Sequence, residues 1–449
     1  MTDPSSYASH LETLLTQWQA ALKAENFAAA AVTAGAQLYD FADDHGPVFK
    51  PNAMLGQWLP PVQTTPGSRL LVTQDKQAIL FLHQPADYWH ADPVFPDRVA
   101  AHLEVRAFAE HSALTDNFTH CLHQQNGAVA WLGPAETSVV ESDNEHVNPP
   151  HLLHRLYLER TRKSQWEIDC MAAASRMGAK GHLAARDAFH AGGSEFEIHQ
   201  AYLLASGQNE KYLPYGNIVA LNEHGSVLHY QHQQRSTSRN LSLLIDAGGQ
   251  HHGYASDITR TWVAHGDAHN TFRNLVEAMQ TLQDGVIDYI SPGLDYANLH
   301  LHMHKLLAGV LVDAGIVTCS AAEALEQGLT RLFCPHGLGH LLGLQVHDVG
   351  GYLADEPGHT VNPPEGHDTL RCTRTIERGQ VFTIEPGLYF MPYFLDPLRA
   401  DDPTRGNLVN WPLIDHLLPY GGIRIEDNIH VLADATQNLT REAFAHVQA

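Results

Sequence analysis

Four short segments carry residue types and spacings that could do metal or hydrolytic chemistry. In the first, Leu243-Leu244-Ile245 runs into Asp246-Ala247-Gly248, and Gly253-Tyr254-Ala255-Ser256-Asp257-Ile258-Thr259-Arg260-Thr261 follows. An apolar strand thus ends on a carboxylate, turns through glycine, and a second strand begins with another. A hairpin with a two-residue loop at His251-His252 sets residue 250 opposite 253 and residue 246 opposite 257. Directly opposed residues share a face of the sheet, so this register predicts the two carboxylates side by side. Two buried carboxylates that close repel, and a shared proton, a base or metal ions must neutralise them.

The second segment, Pro335-His336-Gly337-Leu338-Gly339-His340 with Gly343-Leu344-Gln345-Val346-His347-Asp348, interleaves imidazoles with glycines. Glycine lets a backbone approach a ligand closely. In the third, Phe382-Thr383-Ile384 delivers Glu385 where Pro386-Gly387 ends the strand. In the fourth, Gly421-Gly422-Ile423-Arg424-Ile425-Glu426-Asp427, the alternation places Arg424 and Glu426 on one side. Each piece alone is ordinary, as a strand-end charge or a surface ion pair. Together they offer four carboxylates and an imidazole. Four negative charges balance two divalent cations, and such an oxygen-rich set suits Mn²⁺ or Mg²⁺ better than a soft structural zinc site. Two metals about 3.5–4 Å apart can share a bridging hydroxide, the nucleophile of a hydrolase.

These segments need a scaffold of strands and helices. Ile218–Leu221, Leu241–Ala247, Val381–Ile384 and Gly422–Ile425 read as Gly-punctuated strands, with helices near Asn270–Ile290 and Leu294–Ala314. That pattern predicts an α+β domain of antiparallel strands backed by helices. Ser164-x-x-Glu167 and Ser194-x-x-Glu197 are capping boxes opening helices, the first running through an Ala-rich stretch to Phe189. Further upstream, a helix over about Tyr7–Glu25 and strands at Ala29–Val32, Arg69–Thr73, Ala78–Leu82 and Ala128–Leu132 suggest a smaller mixed α/β domain. Asp43–Pro47 reads as an exposed loop. The polar stretch Val140–Pro150 marks the connection, giving expected domains of 1–158 and 159–449.

Composition narrows the function classes. The 449 residues are 44% hydrophobic and 17% charged, which excludes bulk disorder. The net charge of −23 disfavours nucleic acid and anionic lipid as partners. No apolar run is long enough to span a bilayer, and the polar N-terminus reads as lacking a secretion signal. Five scattered cysteines outside any C-x-x-C spacing point to a reducing compartment rather than a disulfide framework.

The four segments, which carry five donor residues in this order, resemble the dinuclear centre of the pita-bread metallopeptidases. Within that group the chain is most similar to the bacterial proline dipeptidases, in the branch that includes the organophosphorus acid anhydrolases. Pro214–Ala220, Gly343–Gly351 and Pro363-Pro364-Glu365-Gly366-His367 carry the likeness to that branch. The motifs span about 212–428, and the length and the helical lead-in from 164 extend the likeness to most of the chain. The resemblance implies a C-terminal pita-bread (creatinase/aminopeptidase-like) catalytic domain after a creatinase-N-like domain. It implies Asp246, Asp257, His340, Glu385 and Glu426 as ligands of two divalent ions, Mn²⁺ first, with Co²⁺, Zn²⁺ or Mg²⁺ as alternatives. Asp257 and Glu426 would bridge the ions, and Glu385 would also shuttle a proton. It further implies His229, His347 and Arg424 as catalytic groups and Arg371 as the clamp for a dipeptide carboxylate. His336, Tyr215 and Tyr296 would face substrate. The implied reaction is cleavage of Xaa-Pro dipeptides by a bridging hydroxide, with organophosphate triesters as side substrates, in a cytoplasmic homodimer. The Asp44-His45-Gly46 loop corresponds to one that reaches a partner subunit's pocket, although Gly46-Pro47-Val48 stands where relatives carry aromatics. The alternatives are an aminopeptidase P-like enzyme acting on longer peptides and a non-catalytic peptide-binding module.

Overall fold

A computed structural model describes residues 4–60, 64–85, 88, 103–134, 146–236, 239–265, 271–356 and 358–449. Residues 140–145 of the expected connection and Asn270, the expected start of a helix, lie outside these. The chain forms two compact units, Met1–Cys170 with Leu353–Thr360, and Met171–Tyr352 with Val361–Ala449. The first extends past residue 158 because that position sits inside the helix Pro150–Thr161. That helix buries Leu152 and Leu156 in the same core as Leu11, Leu14 and Trp18 of the helix Pro4–Ala24.

In the first unit, β1 (Ala29–Thr33), β2 (Arg69–Thr73), β3 (Ala78–His83), β4 (Leu103–Phe108) and β5 (Val129–Leu132) form one sheet in the order β4-β3-β2-β1-β5. The sheet is mixed: β1 pairs with β2 antiparallel and with β5 parallel. Its central strands are near-continuous apolar runs because both faces are covered. The helices Pro4–Ala24 and His111–His123 contribute to separate apolar clusters with alternate strand residues, Ala30 and Val32 in one and Ala29 and Ala31 in the other. Asp43–Gly46 is exposed.

The second unit contains β6 (Ile218–Leu221), β7 (Ser242–Asp246), β8 (Gln250–His251), β9 (Tyr254–Ala255), β10 (Thr259–Val263), β11 (Val381–Ile384), β12 (Gly387–Tyr389), β13 (Gly422–Arg424), β14 (Asp427–Val431) and β15 (Thr436–Asn438). They form small antiparallel sheets, β10-β7-β6, β11-β14-β15, β12-β13 and β8-β9. The helices Thr271–Asp288 and Tyr296–Asp313 bury Leu275, Met279, Leu299 and Met303 against Phe382, Ile384 and Ile429. Both capping boxes form: Glu167 accepts from the Ser164 N–H at 2.7 Å, and Glu197 from the Ser194 N–H at 2.8 Å. Among the described residues, no helix is long and apolar enough to cross a membrane.

The hairpin register differs from the expected one. Gln250 pairs with Ala255 and His251 with Tyr254, so the loop is His252-Gly253. Both loop residues have positive φ, 51° and 89°, as a tight hairpin of this kind requires, and glycine meets that demand at the second position. The shift places Asp246 opposite Thr259, not Asp257. The displacement is two residues, an even number, so the carboxylates keep a common face as diagonal neighbours.

Two helix side chains tie the strand ends together. His182, on the helix Gln165–His190, has Nε2 at 3.0 Å from the Ala247 carbonyl and 3.1 Å from the Ile258 carbonyl. It therefore donates to the residues just after Asp246 and Asp257. Gln283, on the helix Thr271–Asp288, donates to the carbonyls of Ile384 (2.9 Å) and Ile425 (3.1 Å), the residues just before Glu385 and Glu426. Burial is the main cause that pushes His182 down to about 3. The folded imidazole stays neutral while the unfolded one takes a proton below its ordinary value of 6.5. Its contribution to stability is full above that pH and is lost as pH falls towards 3. The stability gap between the native chain and His182→Gln should narrow by about 2 kcal/mol from pH 7 to pH 5, read from urea unfolding at both pH values. A gap independent of pH would contradict the neutral buried state.

Candidate metal centre

Five segments converge on one point. Asp246 ends β7, Asp257 lies just before β10, and Glu426 lies between β13 and β14. Thr259 bridges to Glu426, whose N–H donates to the Thr259 carbonyl at 3.0 Å. The His336–His340 segment runs along β11. The Thr383 N–H donates to the His340 carbonyl at 2.9 Å, and the Glu385 N–H to the Leu338 carbonyl at 2.8 Å. Gly339 is required there, because a Cβ would overlap the Thr383 carbonyl and the Tyr296 hydroxyl.

His340 Nε2 stands 3.4 Å from Asp257 Oδ2 and 3.6 Å from Glu385 Oε1. Its Nδ1 is 3.0 Å from the Leu341 carbonyl and donates there, which turns Nε2 to the carboxylates; without metal the carboxylates favour a proton on Nε2, and a cation would take that proton's place. Ligand atoms of Asp257, His340 and Glu426 lie within 4.8 Å of one another, all buried. The Tyr215 hydroxyl donates to Asp246 Oδ1 at 2.8 Å. Arg424 Nη2 donates to Asp246 Oδ2 at 2.7 Å. The Thr259 hydroxyl donates to Glu426 Oε2 at 2.7 Å.

Charge balance shows what the centre is suited to hold. Burial, with repulsion from Asp257, raises Asp246 against the opposing pull of Arg424. Burial and the neighbouring carboxylates hold Glu426 well above the carboxylate range. Burial pushes Glu385 up to about 7 despite the pull of His340 and Arg424. At Asp257, burial is outweighed by the hydrogen bond and charge of His340, and the group ends below its usual value. Arg424 and one imidazole are too little positive charge for four clustered carboxylates. An oxygen-rich donor set with one imidazole lone pair fits divalent cations.

The other expected residues fall into two groups. His229, His347 and Arg371 are exposed. The His347 ring meets that of His340 edge-on at 4.4 Å between centroids. Although the side chain keeps an exposed edge, the protein packed around its ring, then the charges of His340 and Arg371, lowers His347 to about 4. His229 is close enough to disfavour protonation of both His336 and His347. The second group is inward. His336 donates from Nδ1 to the Gly337 carbonyl at 2.8 Å, which leaves Nε2 to accept from the Tyr389 hydroxyl at 2.9 Å. Tyr389 in turn accepts from Arg424 Nη1 at 2.9 Å. Tyr215 is half-buried with its hydroxyl turned to the carboxylates. Tyr296 is a correction: expected to face substrate, it is fully buried, with its ring edge-on to Phe382 and its hydroxyl bonded to the Thr383 carbonyl at 2.7 Å. It supports β11 from beneath.

Sequence reasoning missed Tyr389, Thr259, Thr383, His182 and Gln283. The two threonines were findable: each lies two residues from a carboxylate in a strand, on the same face. Tyr389 and the two helix residues had no local signal.

Comparison with known proteins agrees with this geometry. Residues 169–433 match metallopeptidase family M24, and residues 5–158 match the N-terminal domain of Xaa-Pro dipeptidase. The Xaa-Pro dipeptidase of Aeromonas hydrophila subsp. hydrophila is 41% identical over 97% of this chain and 98% of its own length. That of Shewanella denitrificans is 39% identical over 97% of each. The solved structure of zinc-substituted Escherichia coli aminopeptidase P with product superposes with a TM-score of 0.73, at 23% identity, over 99% of this chain and 98% of that one. The fold is therefore the pita-bread fold expected from the motifs, preceded by an N-terminal domain, and the chain belongs to metallopeptidase family M24 and, within it, to the Xaa-Pro dipeptidases.

Proposed function

We propose that this chain is a metal-dependent dipeptidase that hydrolyses the bond before a C-terminal proline. The observation that carries the reading is the convergence of Asp246, Asp257, His340, Glu385 and Glu426 on one under-neutralised point, with exposed cationic and imidazole groups beside it. The five donors would hold two divalent cations. When bound, such ions supply Lewis acidity and lower the pKa of water enough for hydrolysis at neutral pH. Mn²⁺ is the favoured ion because four of the five donors are carboxylates.

The chain's own residues do the rest. Arg424 and Tyr215 fix the orientation of Asp246, and Thr259 fixes Glu426. Glu385, ionised beside the cations, takes a proton from the attacking water and passes it to the proline nitrogen. That nitrogen belongs to a tertiary amide without N–H, so the pocket needs no acceptor for it. His347 and His229 offer ring N–H groups to the developing oxyanion. Arg371 binds the substrate carboxylate through charge-assisted hydrogen bonds, which selects dipeptides over longer chains. The same electrophilic site suits phosphoryl triesters as side substrates. The resemblance carries two further parts of the reading, a homodimer and a cytoplasmic location.

The test strips the protein of metal, restores Mn²⁺, and follows proline release from Ala-Pro beside a tetrapeptide with proline second. Mn²⁺-dependent cleavage of the dipeptide alone is expected. Cleavage of the tetrapeptide would replace this reading with an aminopeptidase. In Arg371→Ala, the KM for Ala-Pro should rise by about 10- to 100-fold, the loss of a hydrogen bond to a charged group, with metal content unchanged. An unchanged KM would remove Arg371 from substrate binding.

A further inference from the structure

His300 and His304 lie one turn apart on the helix Tyr296–Asp313, and His367 meets them from a separate loop. The three rings pack as a triangle, with every pair of centroids 4.7 Å apart. One ring nitrogen from each lies within 4.8 Å of the other two. His300 and His304 are almost wholly buried, at 1% and 3% exposure, and His367 is half-buried. None of the three belongs to the carboxylate centre.

Their hydrogen bonding is incomplete in an informative way. His304 Nδ1 is 3.0 Å from the Thr330 hydroxyl, while its Nε2 is buried without a partner among the described residues. His300 Nε2 is 2.8 Å from His367 Nδ1, while His300 Nδ1 is buried without a partner among the described residues. Buried polar atoms left unpaired are uncommon and costly. A ligating imidazole typically gives one N–H to an oxygen and turns its other nitrogen to the metal, and His304 with Thr330 has that arrangement. Burial, followed by neighbouring imidazoles, pushes His300 down to about 2 and His304 to about 3, so both rings are in the neutral, donor form. Arg331 opposes positive charge at His304 and His367, and Asp368 favours it at His367.

We propose that His300, His304 and His367 form a separate mononuclear site for a borderline transition-metal cation of the Zn²⁺ class. Its all-nitrogen donor set selects Zn²⁺, Co²⁺, Ni²⁺ or Cu²⁺ over Mn²⁺ and Mg²⁺, the opposite preference to the carboxylate centre. Three imidazoles leave a fourth position for water, the coordination of an open zinc site. Occupancy ties the loop that carries His367 to the helix Tyr296–Asp313.

The test counts metal and does not depend on hydrolysis. The full chain with Asp257→Asn and Glu426→Gln, which disable the carboxylate centre, is stripped and dialysed against Zn²⁺, Co²⁺ or Mn²⁺. One equivalent of Zn²⁺ is expected, no Mn²⁺, and visible absorption of four-coordinate Co²⁺. Adding His367→Ala, a half-buried position, should remove the equivalent while circular dichroism stays native. No Zn²⁺ bound, or the same Zn²⁺ with and without His367, would overturn the site. Should the disabled background not fold, the otherwise native chain serves: His367→Ala should bind one Zn²⁺ fewer, and equal counts would overturn the proposal.

Discussion

In Glu385→Gln, Mn²⁺-dependent turnover of Ala-Pro should fall by about 10³-fold or more. The substitution keeps the shape of the side chain and removes its charge. Two losses combine. Without metal, burial pushes Glu385 up to about 7; bound cations would draw it back to the ionised form that can take a proton from water. General acid–base groups contribute about 10²- to 10⁴-fold. The variant also withdraws a donor 3.6 Å from His340 Nε2, so bound Mn²⁺ should drop from two equivalents towards one. The measurement is kcat beside metal content by mass spectrometry on the same sample. Full turnover with two equivalents retained would rule out both roles.

The second large effect is on stability. Arg424 is buried, and its guanidinium reaches Asp246, Tyr389 and Thr259 at once, at 2.7, 2.9 and 3.2 Å. Arg424→Met keeps the apolar stem and removes the charge. Removing one partner of a buried pair costs about 3–5 kcal/mol, because the other charge is left uncompensated. The metal-free protein should therefore melt well below the native one. With Mn²⁺ present the gap should shrink, since cations then neutralise Asp246. The double variant Arg424→Met with Asp246→Asn should recover part of the loss. Equal melting of the native and Arg424→Met proteins without metal would show that the pair contributes nothing.

Much of this was legible in the sequence where chemistry and local pattern coincide. Asp246, Glu385 and Glu426 each stand at the end of a short apolar strand, and both Ser-x-x-Glu boxes mark helix starts because their bonds are local. The hairpin register was misread by one loop position, since two-residue loops at 251–252 and 252–253 look alike until backbone handedness is weighed. The glycine at 253 was the available clue. Tyr389 shows the other limit. Its contact with Arg424 exists because Gly387 pairs with Arg424 across β12 and β13, a pairing no local window contains. The same holds for His182 and Gln283, whose partners are carbonyls, which every residue has.

The spacing of the five proposed donors has a consequence for how the protein forms and lasts. Asp246 and Glu426 are separated by most of the second unit, and His340 and Glu385 lie between them on other segments. Donors this far apart along the chain gather only once long-range pairing is nearly complete, after the loop-closure entropy has been met. Metal can therefore do little to speed the assembly of the unit. It adds contacts that are absent from the transition state, and such contacts act on escape from the native state. Loading with metal should lengthen the lifetime of the folded enzyme while leaving its refolding rate nearly unchanged, so that a chelator acts on this protein chiefly as an accelerator of its decay.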